Sequence, residues 1–529
     1  MPVPVVTADE AVRSIQDGQT IVIGGSGSGH SVAEQLLAAL GRRFRATGSP
    51  RGLTLVHPFG IGNQKDKGLE HVADPDLVRR VIGGHWSMSP GMARLAAENR
   101  IEAYNLPSGI ITQLMSVIAA GSPGWISPIG LDTFIDPRLE GGKLNAAARE
   151  DLVEPFERDG ERYLFYKSFP VHVAFLRATV AAPEGNLNMD EEVAPWEMYS
   201  MALAARACGG ISIAQVKRTA GRHDLDPRTV RVPGAFVDYV VVDPDQGQTF
   251  QIHYDPALCG AARKPPEAFG PFPLTLRKVI ARRAALELFP SAVLNLGFGM
   301  PDGVMKVARE QGIDGAVTPT VEHGQIGGIP AEGLDFGASY NSTALVETRH
   351  QFDFYHGRGV DLALLGFAEV DAAGNVNVSR IESAVIGTGG FVDISQKARK
   401  LVFCGTLAAR ARVELAEGRV RIASPGTPKF VPQVRQVTFS GPRALAEGHE
   451  VLYVTEVAVF RLTPAGVELA EVAPGLTADD VLPLMGFRPA VASPLATMAP
   501  ELFQPDPLPA SLFRHFNSLP RLAAPSLET

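Results

Sequence analysis

The sequence predicts an α/β protein made of two related, open α/β domains with mostly parallel sheets. Apolar segments rich in β-formers recur along the chain and end in glycine or proline, at 19–25, 53–58, 210–216, 239–243, 292–299, 361–371 and 400–407. Most are continuously apolar, which is typical of strands buried on both faces of a parallel sheet. Segments with helical periodicity, such as 31–44 and 274–288, lie between them. Strands that alternate with helices indicate α/β layers.

A weak internal repeat indicates that the two domains are related. "IGGSGSGH" (23–30) and "LGFGMPDG" (296–303) each follow a predicted strand and precede a predicted helix. "AFLRATVAAPEGNLNM" (174–189) likewise resembles "ALLGFAEVDAAGNVNV" (363–378). Two copies of one α/β unit in a single chain account for both similarities.

The domain boundaries follow from composition along the chain. A chain of 529 residues is too long for one hydrophobic core. We predict an N-terminal domain over 1–243, a linker rich in proline and glycine over 244–274, and a C-terminal domain over 275–483. A proline-rich tail over 484–529 follows and adds no third core.

Overall composition excludes several classes of protein. The net charge of -8 gives no electrostatic footprint for nucleic acid. Three widely separated cysteines, Cys208, Cys259 and Cys404, form neither a disulfide framework nor a zinc motif. The N-terminus lacks the pattern of a signal peptide, and no apolar run approaches the roughly 20 residues of a membrane helix. We therefore predict a cytoplasmic protein without membrane or nucleic-acid partners.

Familiar catalytic motifs are missing. "GSGSGH" lacks the last glycine of G-x-G-x-x-G, and "GFGMPDG" misses that spacing by one residue. The chain contains no G-x-x-x-x-G-K-[ST], H-E-x-x-H or G-x-S-x-G motif. Dehydrogenase, NTPase, zinc protease and lipase functions therefore lose their simplest support.

Glycine-rich turns remain, and one of them carries a carboxylate. Taken singly, the turns at 24–29, 297–303, 322–328 and 387–391 are tight connections after strands. Taken together, they bring backbone N–H groups close to a phosphate or an oxyanion. Glu322 begins the third turn, where a carboxylate can act as a base or as a nucleophile.

Other polar residues are open to two interpretations. His85 and His323 are candidate acid–base groups, although a lone histidine is more often structural. Asn375 and Asn377 in "GNVNV" indicate first a turn and the start of a strand.

Beyond these patterns, the chain resembles the class I coenzyme A transferases, which include acetate, propionate and 3-oxoacid (succinyl-CoA:acetoacetate) CoA-transferases. It is most similar to their single-chain bacterial branch that uses short-chain acyl-CoAs and acetate. Similar stretches extend over nearly the whole length, among them "GGHW" (83–86), "IEAYNLPSGIITQL" (101–114), "GSPGWISPIGLDTFIDPRLEGGKLN" (121–145), "VPGAFVDYVVV" (232–242), "EHGQIGGIPAEGLDFGASYN" (322–341) and "GTGGFVDI" (387–394). The resemblance implies two domains that correspond to the α and β subunits of heteromeric relatives. It also implies CoA as a substrate, no metal or redox cofactor, and a homodimer or homotetramer.

The resemblance also implies roles for residues of the C-terminal half. The family's nucleophilic glutamate begins an E-x-G-x-x-G-G segment, which corresponds to Glu322. "GTGGF" supplies Gly389 and Gly390 as candidates for oxyanion and pantetheine contacts. Asn375, Asn377 and Met300 are candidate CoA contacts.

Two residues of the N-terminal half and one departure complete the predicted site. Gly27 of "GSGSG" and Gln113 are candidates for the acyl or carboxylate pocket, although Gln113 is equally well explained as an amide on a helix face. His323 departs from the small or amide side chain of many relatives. We expect it to change the pKa of Glu322 or the shape of the adjoining pocket.

The implied reaction is CoA transfer between a short-chain acyl-CoA and a free carboxylate. It proceeds by ping-pong turnover through an acyl-glutamyl anhydride and a glutamyl-CoA thioester on Glu322. Two alternatives stay open at this point. One is an acyl-CoA hydrolase of the same fold, and the other is a non-catalytic α/β ligand-binding protein.

Overall fold

The first half of the chain forms one large, mainly parallel sheet. The computed structural model describes residues 2–357 and 359–516. In chain order the strands of this sheet are β1 Thr20–Ile23, β2 Leu53–His57, β3 Val78–Gly83, β4 Glu102–Asn105, β5 Val173–Ala181, β6 Leu187–Asn188, β7 Ile211–Thr219, β8 Val230–Val232 and β9 Tyr239–Val242. The parallel part has the order β9-β7-β5-β1-β2-β3-β4. The short strands β6 and β8 extend β5 in antiparallel fashion.

The second half of the chain forms a second large sheet with a parallel centre. Its strands are β10 Val293–Leu296, β11 Thr318–Val321, β12 Gln325–Ile326, β13 Ala344–Leu345, β14 Leu362–Gly366, β15 Lys400–Cys404, β16 Glu450–Val454, β17 Ala458–Thr463, β18 Gly466–Val472 and β19 Ala490–Thr497. They lie in the order β13-β12-β11-β10-β14-β15-β16-β17-β18-β19. The centre from β11 to β16 is parallel, and antiparallel pairs flank it on both sides.

Helices and small hairpins complete the structure. The helices are α1 Ala8–Ala11, α2 Glu34–Thr47, α3 Pro90–Ala97, α4 Ser108–Ala119, α5 Met198–Ala207, α6 Leu276–Ala285, α7 Gly303–Glu310, α8 Thr348–His356, α9 Phe391–Ser395, α10 Gly441–Ala446 and α11 Ala478–Val481. Gly124–Ser127, Val153–Arg158 and Glu161–Lys167 form a small antiparallel sheet, and Arg412–Ala416 pairs with Arg419–Ser424. Within the described residues, no helix is long and apolar enough to cross a membrane.

The burial of single strands confirms the predicted fold class. All nine residues of β5 are buried, which explains its continuous apolar run. The exception in composition is Arg177, whose charge is paired inside the protein with Glu192 at 3.3 Å. The internal repeat is visible in the structure as well, since Gly185 and Gly374 have φ values of 91° and 81° in corresponding turns after β5 and β14.

The C-terminal segment departs from the sequence prediction. The predicted tail begins at 484, yet β19 lies within it and pairs in parallel with β18 at the edge of the second sheet. Small residues and a proline in "AVASPLAT" conceal this strand in the sequence. Leu502 and Phe503, further along, are also buried. The last part of the predicted tail, 517–529, lies outside the described residues.

Loops at the carboxyl ends of both sheets meet each other. Backbone hydrogen bonds join the segment after β3 to the glycine turn before α9: Trp86 N donates to Ile386 O at 2.7 Å, and Gly389 N donates to Gly84 O at 2.8 Å. Ser108 N, at the start of α4, donates to Gly389 O at 2.9 Å. Ligands of open α/β sheets bind at carboxyl edges, so this junction is the natural place for a site.

Candidate active site

Glu322 lies in the tight turn that follows β11, at the carboxyl edge of the second sheet. The chain reverses here into β12, and Gly324 adopts a φ of 107°. A side chain at Gly324 would also overlap the carbonyl oxygen of Val346, so glycine is required for two reasons. The Glu322 side chain keeps 18% of its surface exposed. It is therefore enclosed but reachable.

The "GTGG" turn lies directly against the Glu322 carboxylate. A methyl group on Gly390 would overlap Oε2 of Glu322, and one on Gly389 would lie 3.8 Å from Oε1. The Gly390 N–H forms a hydrogen bond with the carboxylate. The structure thus brings Glu322, Gly389 and Gly390 together, although 67 positions separate the first two in the chain (389 minus 322).

Asn105, at the end of β4, holds this turn in place. It is fully buried, and its Oδ1 accepts from Thr388 N at 3.0 Å. Its Nδ2 donates to Gly83 O at 2.7 Å and to Gly84 O at 2.6 Å. Asn105 lies in the stretch 101–114 that carries the family resemblance, but it was not among the site residues predicted from the sequence. The available signal was an asparagine directly between a strand and "LP".

A second buried carboxylate, Asp393 of α9, faces Glu322. It accepts from Gly109 N at 3.1 Å and contacts His356 Nε2 at 2.9 Å. Burial raises the pKa of Asp393 despite these partners. Sequence reasoning missed this residue too, although an acid inside the apolar run "GGFVDIS" was a usable signal.

The environment of Glu322 opposes its negative charge. Burial and the neighbouring Asp393 raise the pKa of Glu322 to about 8, while the hydrogen bond from Gly390 N–H acts in the opposite direction. A carboxylate with a raised pKa is more basic and more nucleophilic once it is ionised.

His323 packs beside Glu322 and against two aromatic side chains. Its Nε2 lies 3.1 Å from Ser26 Oγ and 3.7 Å from Glu322 Oε1. Its ring centroid lies 4.4 Å from that of Phe59 and 5.0 Å from that of Trp196. Burial lowers the pKa of His323 to about 3, so the imidazole is neutral.

The remaining candidates from the first half have different positions. Gly27 lies beside the site, since a methyl group on it would be 3.3 Å from His30 Nδ1 and its neighbour Ser26 contacts His323. His85 flanks the glycine turn, since its Cδ2 would lie 3.9 Å from a methyl group on Gly389. Burial lowers the pKa of His85 to about 4. Gln113 instead donates to Arg349 O at 3.1 Å and to Asp353, so its amide holds α4 against α8.

The candidate CoA contacts have partners within the protein. Asn375 donates to Asp371 at 3.0 Å and accepts from Gly441 N at 3.0 Å. Asn377 is fully buried and donates to Arg380 O at 2.6 Å. These bonds fix the hairpin after β14.

Met300, the third of these candidates, begins the short turn after Gly299 and is partly buried against the core. Within the described residues, no group of three or more histidine, cysteine, aspartate or glutamate side chains is arranged to hold a metal ion.

Comparisons with known proteins show the family to which the chain belongs. The coenzyme A transferase family model matches residues 5–243. The chain is 42% identical over 505 residues to acetate CoA-transferase YdiF of Escherichia coli strain K12, covering 95% of each chain. It is 41% identical to caffeate CoA-transferase of Acetobacterium woodii, covering 94% of this chain and 97% of that one.

A solved structure matches as closely. The crystal structure of the Escherichia coli O157:H7 acyl-CoA transferase YdiF, in a thioester complex with CoA, superposes with a TM-score of 0.91 at 41% identity. The match covers 96% of this chain and 97% of that chain. The chain belongs to the coenzyme A transferase family. The protein is a CoA-transferase with that family's α/β fold.

Proposed function

We propose that this CoA-transferase moves CoA between a short-chain acyl-CoA and a free carboxylate such as acetate, with Glu322 as the nucleophile. The observation that carries the proposal is the Glu322 carboxylate, enclosed against the main chain of Gly390 where the two sheets meet. Two relatives, an acetate and a caffeate CoA-transferase, support the reaction class. A thioester complex of one relative with CoA supports a covalent route.

The proposed reaction has two half-reactions. An ionised Glu322 oxygen attacks the carbonyl carbon of the acyl-CoA, the C–S bond breaks, and CoA thiolate leaves an acyl-glutamyl anhydride behind. The thiolate then attacks the glutamyl carbonyl carbon, a C–O bond breaks, and the first carboxylic acid departs as its anion. Glutamyl-CoA thioester remains on the enzyme. A second carboxylate enters and the same steps run in reverse.

Each attack creates a tetrahedral oxyanion, which needs donors already in place. The N–H groups of the Gly389–Gly390 turn are our candidates, because the turn lies against Glu322 and is fixed by Asn105. One such donor typically lowers the barrier by about 3–4 kcal/mol. The Glu322 side chain therefore needs bare backbone beside it, and glycine supplies that.

CoA and acyl contacts beyond this centre stay predictions. We keep Met300 as a candidate pantetheine contact and Gly27 and His323 as the wall of the acyl pocket. Contacts from Asn375 or Asn377 to CoA would use their backbone atoms or replace the hydrogen bonds that their amides already make. The division at 243 and 275, a cytoplasmic location and a homo-oligomer are likewise predictions.

The test is a search for the covalent intermediate. Incubation with acetyl-CoA, followed by peptide mass spectrometry, is expected to place CoA on the peptide that contains Glu322, and added acetate should discharge it. Glu322→Gln should form no adduct. Glu322→Asp should fold and lose at least about a hundredfold in rate, because the carboxylate no longer reaches its near-attack position.

The two alternatives give different results in the same experiment. A hydrolase would consume acetyl-CoA without any acceptor acid. A ligand-binding protein would retain acetyl-CoA without a covalent adduct. Full transferase activity in Glu322→Gln would overturn the proposed mechanism.

A further inference from the structure

His323 has a fixed orientation and a fixed tautomer. Its Nδ1 lies 3.1 Å from the carbonyl oxygen of Gly337, which can only accept a hydrogen bond. Nδ1 therefore carries the proton, and in a neutral imidazole Nε2 is left with a lone pair. Ser26 Oγ, 3.1 Å away, donates to that lone pair. Gln325 donates to the same Gly337 oxygen at 2.9 Å and fixes the acceptor.

The unprotonated nitrogen of this imidazole faces the carboxylate of Glu322. Nε2 lies 3.7 Å from Oε1, too far for a hydrogen bond and close enough for a strong electrostatic effect. The negative end of the imidazole dipole thus opposes a negative charge on Oε1. The enclosed surroundings amplify the effect, since His323 is 3% exposed.

We propose that His323 is a positioning residue that destabilises ionised Glu322 and so favours its uncharged states, among them the covalent glutamyl-CoA thioester. This proposal rests on the proposed function, in which the carboxylate loses its charge whenever it is acylated or carries CoA. A carboxylate that is disfavoured as an anion passes more readily into the thioester. The histidine in "EHG" then sets how much enzyme rests in the covalent form.

Other ionisable groups around the pair either disfavour a negative charge on Glu322 or keep His323 neutral. His30 and His85 face His323 from the first half of the chain and, together with burial, lower its pKa to about 3. Asp393 of α9 faces Glu322 and disfavours its ionisation. Tyr355 of α8 also faces Glu322 and stays protonated, since burial raises its pKa. Among the groups that shift the pKa of Glu322, none is a cation that would offset the effect of Nε2.

The experiment measures the covalent fraction and the ionisation of Glu322 separately. The thioester fraction is read by intact-protein mass at a fixed ratio of acetyl-CoA to acetate. The ionisation of Glu322 is read without substrate, as the pH dependence of the stability difference between each protein and its Glu322→Gln counterpart.

At pH 9.5, where free Glu322 is ionised in both proteins, His323→Leu, which removes the acceptor at similar volume, should lower the ratio of thioester to free enzyme about tenfold. It should also move the midpoint of the folded-state titration, which is the upper pH at which the stability difference stops growing, down by about one unit, the equivalent of that tenfold change. His323→Gln should stay near the wild type, because its amide can donate to Gly337 O and turn its oxygen towards Ser26 and Glu322. His172→Leu is the matched control. His172 accepts from Thr20 N at the opposite edge of the first sheet and should change neither quantity.

Ser26→Ala provides a second test with the opposite sign. Without the serine donor, the Nε2 lone pair is free for the acid proton of Glu322, so the midpoint should move up. A midpoint in His323→Leu equal to the wild type, or equal shifts in His323→Leu and His323→Gln, would overturn the proposal. If His323→Leu does not fold, a midpoint in Ser26→Ala equal to that of the wild type would overturn the proposal. If no protein forms a thioester, the proposed function fails, and the substrate-free midpoints still decide the role of His323.

Discussion

At the scale of single residues, Glu322 combines enclosure with a reluctance to ionise. Burial and Asp393 raise its pKa, and the Gly390 N–H only partly offsets them. A carboxylate in water is a poor nucleophile because its charge is fully solvated. The site strips that solvation away and leaves a small exposed fraction for the substrate.

This ionisation predicts the pH dependence of the reaction. In the proposed reaction Glu322 must be ionised to act as the nucleophile, and its pKa is raised to about 8. We expect kcat/KM for acyl-CoA to rise about tenfold per pH unit below that value and to level off above it, because kcat/KM reports the free enzyme. Initial rates between pH 6 and 9.5 measure it. A flat profile over that range would contradict the assignment.

The same residue predicts a stability effect. Its folded-state pKa is above its unfolded value of 4.5, so the folded protein binds the proton more tightly. Its cost to stability is therefore absent below about pH 4.5, grows as pH rises and is complete above about 8. We expect Glu322→Gln to unfold at higher denaturant than the wild type at pH 8 and at nearly equal denaturant at pH 5. The upper limit is about 1.4 kcal/mol per pH unit between those values. Chemical unfolding at both pH values checks this, and an equal difference at both would argue against a raised pKa.

At the scale of elements, the glycine turn before α9 is what gives Glu322 its surroundings. Gly389 adopts a φ of 55°, whereas Gly390 has an ordinary φ of -86°. Gly389 thus needs to be glycine for its backbone, and Gly390 for the space beside Oε2. Local sequence shows only two adjacent glycines and does not separate these reasons.

The two glycines give a matched pair of variants. Gly390→Ala introduces no backbone strain but places a methyl group on the carboxylate, so we expect a rate loss of at least about a thousandfold. Gly389→Ala strains the backbone by roughly 1–2 kcal/mol and leaves room beside Glu322. It should lower the melting temperature more than Gly390→Ala does and lower the rate much less. Steady-state rates and thermal unfolding of both variants measure this. A larger loss of rate in Gly389→Ala than in Gly390→Ala would contradict the position of Gly390 against the Glu322 carboxylate.

At the scale of the whole molecule, the proposed function depends on loops from two sheets meeting at their carboxyl edges. Asn105 ends a strand of the first sheet and holds Thr388, 283 positions away. The backbone N–H of Gly389 donates a hydrogen bond to Gly84 O, and its carbonyl oxygen accepts one from Ser108 N. The glycine turn of one half is therefore shaped by the other half, and neither half alone contains the complete site.

Asn105 tests this dependence. Asn105→Ala leaves Thr388 N without its acceptor and removes one donor from each of two carbonyl groups in a fully buried position. We expect a loss of about 2–4 kcal/mol in the free energy of unfolding and a large loss of activity. Asn63→Ala, which removes the cap of an exposed turn at Asp66, is the control and should cost about 1 kcal/mol or less. Denaturant titrations of the two variants measure the free energy of unfolding, and an equal loss in both would contradict the role of Asn105.

Sequence patterns alone predicted the α/β class, the two related halves and the strands buried on both faces, because these follow from local apolar periodicity. They missed β19, whose small residues carry little periodic signal. Resemblance to a family assigned Glu322, and the structure then placed Gly389 and Gly390 against it. Gln113, for which a pocket role and a helix-face role were both open, joins two helices.

The sequence by itself determined which carboxylate lies among glycines and which type of sheet carries it. Only the tertiary structure decided what surrounds that carboxylate: Asn105 behind the glycine turn, Asp393 facing it, and His323 with Nε2 at 3.7 Å from it. The physical reason is the range of the interactions. Strands and turns are encoded over a few neighbouring residues, whereas the pKa and reactivity of Glu322 depend on groups brought within a few ångströms from distant parts of the chain.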